Sequence, residues 1–179
     1  MSLHVWRHPK PAGARGLCVG RIDLTVDRRK AKRLAHRIRA HARRHALPRS
    51  VLTSRLQRSM AVGQALARWG WRHVVDPRLD EFDFGAWDGR PWSELAPAEL
   101  DSWSREFASY RAGGGESVAA LLERCRAFFA DAAEPTGCCI VTHAGWISAA
   151  RWLQTHAGEA PRALNWPAAV AYGQRVTFD

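Results

Sequence analysis

Two histidines in this chain follow short apolar runs that read as buried strands. His8 comes after LHVW with Arg7 beside it, in HVWRHPKP, and His143 comes after GCCIVT, in VTHAGW. Between them a third such run, SVLTS, leads into Ser54-Arg55-Leu56-Gln57-Arg58. A neutral imidazole is a competent nucleophile, and guanidinium groups match phosphate oxygens with paired hydrogen bonds. Ligands of open α/β sheets bind at the carboxyl ends of strands, so neighbouring strands would bring two histidines and at least two arginines together. The reaction class this implies is phosphoryl transfer to and from a histidine.

That chemistry needs a proton for the leaving alkoxide. LDEFDFG supplies Asp80, Glu81 and Asp83 among aromatic residues. Burial beside Phe82, Phe84 or Trp87 would raise a carboxyl pKa toward the range of a general acid. Neither an aspartate cluster nor a Walker-type Gly-Lys-Ser/Thr motif is present, so no metal and no cofactor is expected. Taken singly, each residue has a plainer reading: a histidine after a strand is commonly structural, and Arg58 is one of 24 arginines. Their joint order along one chain favours the chemical reading.

Strand-like and helix-like segments alternate. Ala31, Leu34, Ala35, Ile38 and Ala42 fall at helical spacing between Asp27 and about Ala46, with Thr25 or Asp27 as N-cap and Pro48 beyond. LQRSMAVGQALARWG reads as a second helix ending at Gly70, HVVD as a short strand, and Ser93–Phe107 and Ser117–Ala132 as further helices. TGCCIVT is a buried strand followed by a helix from Gly145 to Thr155, and AAVAYGQRVTF closes the chain as one or two strands. The long segment from Lys10 to Gly20 reads as an ordered, functional loop. This pattern predicts a single domain over residues 1–179: an α/β fold, a three-layer α/β/α sandwich with a mostly parallel central sheet.

The composition is ordinary for a globular chain, with 46% hydrophobic and 25% charged residues. The formal net charge of +10 is concentrated, because no Asp or Glu lies between Arg28 and Val75. That stretch is read as a solvated basic helix face, with attraction of anionic substrates or polyanions the alternative. Cys18, Cys125, Cys138 and Cys139 lack metal-ligand spacing and suggest neither a disulfide framework nor a zinc site. No signal peptide or membrane span is expected, and a reducing cytoplasm fits.

WRHPKP, TSRLQRS, LDEFDFGAWDG and VTHAGW resemble, in this order and over nearly the whole chain, the motifs of the histidine phosphatase superfamily, the phosphoglycerate-mutase-like phosphatases. The resemblance implies that His8 is the phosphorylated nucleophile and that Arg7 and Arg58 bind phosphate. It further implies that Glu81 is the proton donor and that His143 stabilises the transferring group. The family's usual glycine after the first histidine is Pro9 here, a change the turn tolerates if no backbone N–H is needed there. GRIDLTVD, EFDFGAWDGRPW and GGGES are most similar to α-ribazole phosphatases, which implies substrate contacts by Arg21, Glu116 and Ser117. Trp87 and Trp92 would line a pocket for an aromatic substrate. The expected partner is therefore a small-molecule phosphomonoester, not a membrane or a nucleic acid, and homodimerisation is left open. Two competing readings are a phosphoglycerate mutase or broad-specificity phosphatase, and a catalytically silent polyanion-binding protein.

Overall fold

Five strands, β1 (Leu3–Arg7), β2 (Ser50–Thr53), β3 (Arg72–Val75), β4 (Cys139–Thr142) and β5 (Arg175–Phe178), form one sheet in the order β3-β2-β4-β1-β5. The computed structural model describes residues 2–130, 137–156 and 158–178. β1, β2, β3 and β4 are parallel, and β5 is antiparallel to β1 at the edge. The mostly parallel sheet expected from the sequence is therefore present. β1 and β4 are direct neighbours, with Arg7 opposite Thr142.

Side-chain alternation sends each strand's residues to two cores. Trp6, Val51, Cys139 and Val141 pack against helices α1 (Arg28–Arg44) and α2 (Gln57–Ala67). Val5, Leu52 and Ile140 pack on the other face, under α4 (Val118–Ala130) and α5 (Ala144–Thr155). Helices thus cover both faces, the three layers expected. Burying Leu34 and Ile38 of α1 stabilises by about 2 kcal/mol for each side chain.

Asp27 is the N-cap of α1, its carboxylate accepting from the N–H groups of Arg29 and Lys30 at 2.7 and 3.2 Å. One expectation needs correction. The helix read from Ser93 begins only at Pro97 (α3, Pro97–Arg105), because proline suits a first helical position and cannot continue an earlier turn. The closing run, read as one or two strands, holds one, Arg175–Phe178, and the residues before it turn back over β1. Residues 131–136, which include the expected helix end at Ala132 and the start of TGCCIVT, lie outside the described residues. All four cysteines are buried free thiols. Among the described residues no helix is long and apolar enough to cross a membrane.

Candidate active site

β1 and β4 end side by side, and their next residues are the two histidines. The His8 N–H donates to the Thr142 carbonyl at 2.9 Å, and the His8 and His143 ring centroids stand 4.9 Å apart. Both rings are buried. His8 Nδ1 lies 2.7 Å from the Pro9 carbonyl oxygen, which can only accept, so Nδ1 carries the hydrogen and Nε2 keeps its lone pair. Pro9 contributes its carbonyl here, and that contact does not depend on an N–H. Burial, reinforced by Arg58 and Arg7, holds the His8 pKa well below the usual histidine range, against the opposing Pro9 bond.

His143 is the N-cap residue of α5. Its Nε2 is 2.6 Å from Ser54 Oγ, and that oxygen already accepts the Leu56 N–H at 3.3 Å. Nε2 is the only acceptor within hydrogen-bond reach of the buried Ser54 hydroxyl among the described residues, so the hydroxyl donates to it and the imidazole's own hydrogen sits on Nδ1, which has no partner among the described residues. Burial depresses its pKa strongly, with His8, Arg58 and Arg7 adding to the effect.

Arg58 lies in the first turn of α2 and is fully buried. Its guanidinium donates to the Ile22 carbonyl at 2.7 Å and to the Gly20 carbonyl. The N–H groups of Gly20 and Ile22 in turn bond the Asp88 carboxylate at 2.7 and 2.5 Å. The loop carrying GRIDL is thus held between an arginine on one side and an aspartate on the other. Arg7, half-buried, donates to the Val170 carbonyl at 2.7 Å, and its guanidinium stacks 3.7 Å from the centre of the Tyr172 ring. Arg7 Nε, Arg58 Nε and His143 Nδ1 are buried donors without a partner among the described residues. Unpaired buried donors are costly, and an anion with several acceptor oxygens would satisfy them.

Of the three carboxylates in LDEFDFG, Asp80 is engaged by Arg55, whose Nε donates at 2.9 Å, and Asp83 accepts from Gly85 at 2.9 Å. Glu81 is different. It is buried, and its Oε1 accepts from the N–H groups of Phe82 and Gly145 at 3.0 and 2.9 Å. Burial raises its pKa, only partly countered by those bonds and by the Arg58 and Arg7 charges. The absence of a side chain at Gly145 lets Glu81 sit this close, since a Cβ there would meet Glu81 Oε1 and push the carboxyl aside. Arg124 of α4 holds the same loop from beneath, donating at 2.8 Å to the Arg78 and Asp80 carbonyls.

The structure therefore gathers His8, Arg7, Arg58, Glu81 and His143. Arg21, Glu116 and Ser117 sit elsewhere, around a cavity of about 360 Å³ that also touches Asp83 and Arg111. Glu116 is paired with Arg124 at 2.9 Å, Arg21 stands 3.6 Å from Asp83, and Ser117 Oγ accepts the Ala120 N–H at 3.2 Å as a cap for α4. Trp87 is core, whereas Trp92 is partly exposed and stacked on Trp103 at 6.2 Å. Sequence reasoning gave no task to Ser54, Asp88, Arg124 or Tyr172. Of these, Ser54 and Asp88 lay inside motifs already singled out; the other two carried no signal beyond residue type. Among the described residues no group of three or more His, Cys, Asp or Glu side chains is placed to hold a metal ion.

Comparison with known proteins agrees with this geometry. The family model for the histidine phosphatase superfamily (branch 1) matches residues 3–172. A probable phosphoglycerate mutase, GpmB, of Yersinia enterocolitica is 34% identical over 107 residues, covering 57% of this chain and 47% of that protein. The match thus spans about half the length of that curated relative. Among solved structures, TTHB049 from Thermus thermophilus is 26% identical with a TM-score of 0.71, over 100% of this chain and 94% of that one. A mycobacterial glucosyl-3-phosphoglycerate phosphatase, Rv2419c, complexed with VO3, is 26% identical with a TM-score of 0.77, over 98% and 91% of the two chains. With the paired histidines, the flanking arginines and the match over residues 3–172 all in place, this chain belongs to the histidine phosphatase superfamily.

Proposed function

We propose that the protein is a phosphomonoesterase working through a phosphohistidine at His8, without a metal. The observation that carries this reading is the buried His8 with Nε2 free, facing unpaired donors on Arg7, Arg58 and His143. A substrate phosphate bound to those donors lies in front of the nucleophile, and fixed positive charge stabilises its transfer. Nε2 forms a bond to phosphorus as the ester P–O bond breaks, and Glu81 gives its proton to the departing oxygen. Water then attacks the phosphohistidine, Glu81 takes a proton from it, and inorganic phosphate leaves with His8 neutral again.

For the substrate, we favour α-ribazole 5′-phosphate, on the likeness of GRIDLTVD, EFDFGAWDGRPW and GGGES to that branch of the superfamily. Arg21, Glu116 and Ser117 would meet the part of the substrate beyond the phosphate, from the cavity they line beside the Glu81 loop. A mutase is the second reading, favoured by the similarity to the probable phosphoglycerate mutase.

The test is phosphate release from α-ribazole 5′-phosphate, p-nitrophenyl phosphate and 3-phosphoglycerate, with EDTA present and His8→Ala as control. Preference for the ribazole ester, lost together with acid-labile phosphate labelling in the variant, supports the whole reading. Turnover retained by His8→Ala would sink the mechanism. Mutase activity dependent on a bisphosphorylated primer would replace hydrolysis with the second reading.

A further inference from the structure

The charge of this protein is strongly one-sided. Fourteen of its 27 Lys and Arg residues lie between Arg28 and Val75, which contains no Asp or Glu, so the rest of the chain has a net charge of −4. α1 turns its Ala31, Leu34, Ala35, Ile38 and Ala42 stripe to the core and leaves nine Lys and Arg side chains exposed.

Two cavities open along the flank between α1 and α2. One, of about 490 Å³, is lined by Arg28, Lys32, Arg68 and Trp69, among others. The next, of about 480 Å³, is lined by Arg39, Arg43, Arg49, Trp69 and Trp71, among others. Neither lining includes a carboxylate, and none of these six cations forms an ion pair among the described residues. Trp69, half-buried, is the wall common to both, with the Arg39 guanidinium 5.6 Å from its ring centre. Arg28 with Lys32 and Arg39 with Arg43 are like-charge pairs one helical turn apart, an arrangement that destabilises a helix unless an anion lies between them.

We infer that the α1–α2 face binds single-stranded nucleic acid, its phosphates on these cations and a base against Trp69. Repeated cation clusters match a repeating phosphate, and a cleft with an aromatic wall beside each cluster accepts an unpaired base, which a duplex keeps stacked inside. A lipid surface would meet the exposed row of α1 but would leave the clefts unused. α1 is about 25 Å long, room for several nucleotides. The face does not draw on the phosphatase reading, because it uses none of the residues gathered around His8.

The experiment follows a fluorescent oligouridine of about 15 nucleotides by anisotropy on the full chain, from about 50 to about 200 mM NaCl. Six phosphate contacts predict a slope of log K against log salt of about −4, at about −0.7 per contact on single strands. Arg39→Glu/Arg43→Glu/Arg49→Glu should bring the slope to about −2, and Arg28→Gln/Lys32→Gln/Arg68→Gln should do the same from the other cavity. Trp69→Leu should weaken binding about tenfold with the slope kept, the size of one lost base–aromatic stack. Circular dichroism checks that each variant is folded, and His8→Ala should bind like the unaltered protein, which separates this face from the candidate active site. Binding that is insensitive to salt or to both triple variants overturns the inference. So does equal affinity for a duplex of the same length, or displacement of the oligouridine by phosphatidylserine vesicles that bind more tightly.

Discussion

Ser54 Oγ and His143 Nε2 share a buried hydrogen bond of 2.6 Å that joins the loop after β2 to the loop after β4. Through it a serine with no expected contact to substrate decides which ring nitrogen of His143 carries the hydrogen. Ser54→Ala releases that choice. We expect kcat to fall about tenfold to hundredfold, as for lost donors elsewhere, with a smaller change in KM. Nitrogen NMR of the imidazole should show a mixture of tautomers in the variant; a ring still protonated only at Nδ1 would contradict this role.

Glu81 and His8 are shifted in opposite directions by the same cause, burial. In the proposed mechanism Glu81 must be protonated and His8 neutral for the first step, and a raised carboxyl with a lowered imidazole makes those two forms coexist over a wider pH range. The rate should fall at alkaline pH as Glu81 loses its proton and at acid pH as His8 gains one. Glu81→Gln should remove the alkaline limb and lower kcat by about 10² to 10⁴ on alkyl phosphates, with a smaller loss on p-nitrophenyl phosphate, whose leaving group needs less help. Steady-state pH profiles of both enzymes on both esters test this, and an unchanged alkaline limb in the variant would assign it to another group.

Gly145→Ala should separate catalysis from stability. The new methyl group would press on Glu81 Oε1 and displace the carboxyl, while the first turn of α5 accepts alanine readily. A loss of about hundredfold in kcat with Tm nearly unchanged is expected, the scale of a misplaced catalytic group. Equal losses in activity and Tm would mean that the loop, not the carboxyl position, had failed.

Acid should destabilise the fold before its carboxylates titrate. Burial holds the pKa values of His8, His143 and His73 below their ordinary value, and burial together with Arg175 brings that of His41 down to about 4. The unfolded chain then binds protons from about pH 6.5 downward while the folded one does not. The histidines' share of the stability is full above that pH and declines as pH falls toward their folded-state values. Glu81, whose pKa is raised, works the other way and adds a small contribution at acid pH that fades as pH rises. Thermal melts from pH 8 to pH 4, as an expected window set by these groups, should show Tm dropping below about pH 6.5; His143→Asn should flatten that drop, and a flat profile in the unaltered protein would refute the account.

Much of this was legible from residue order. The apolar runs LHVW, SVLTS and GCCIVT are strands because they are short, β-branched or aromatic, and bounded by breakers, and the first and third do lead into the histidines. What periodicity could not say is which strands are neighbours, and that is what places His8 beside His143. The groups that hold the site were hidden for a related reason. Asp88, Arg124 and Tyr172 act across long sequence separations, on Gly20 and Ile22, on the Arg78–Glu81 backbone and on Arg7. No local pattern marks an arginine that binds carbonyls forty residues away. Pro97 was a local signal that delayed α3, whereas the terminal run reads as extended whether it pairs or turns.

The position of β1 in the sheet has a consequence for how the protein is made. Its partners on either side, β4 and β5, come from the far end of the chain. As the chain emerges from the ribosome, β2, α2 and β3 can form a local unit while β1, which leads into His8, waits with both edges unpaired. Closing such long loops is the slow part of folding, and an unpaired strand is exposed to wrong partners while it lasts. His8 and His143 should therefore be brought together among the last events of folding, so that on the proposed mechanism the onset of activity marks completion of the sheet.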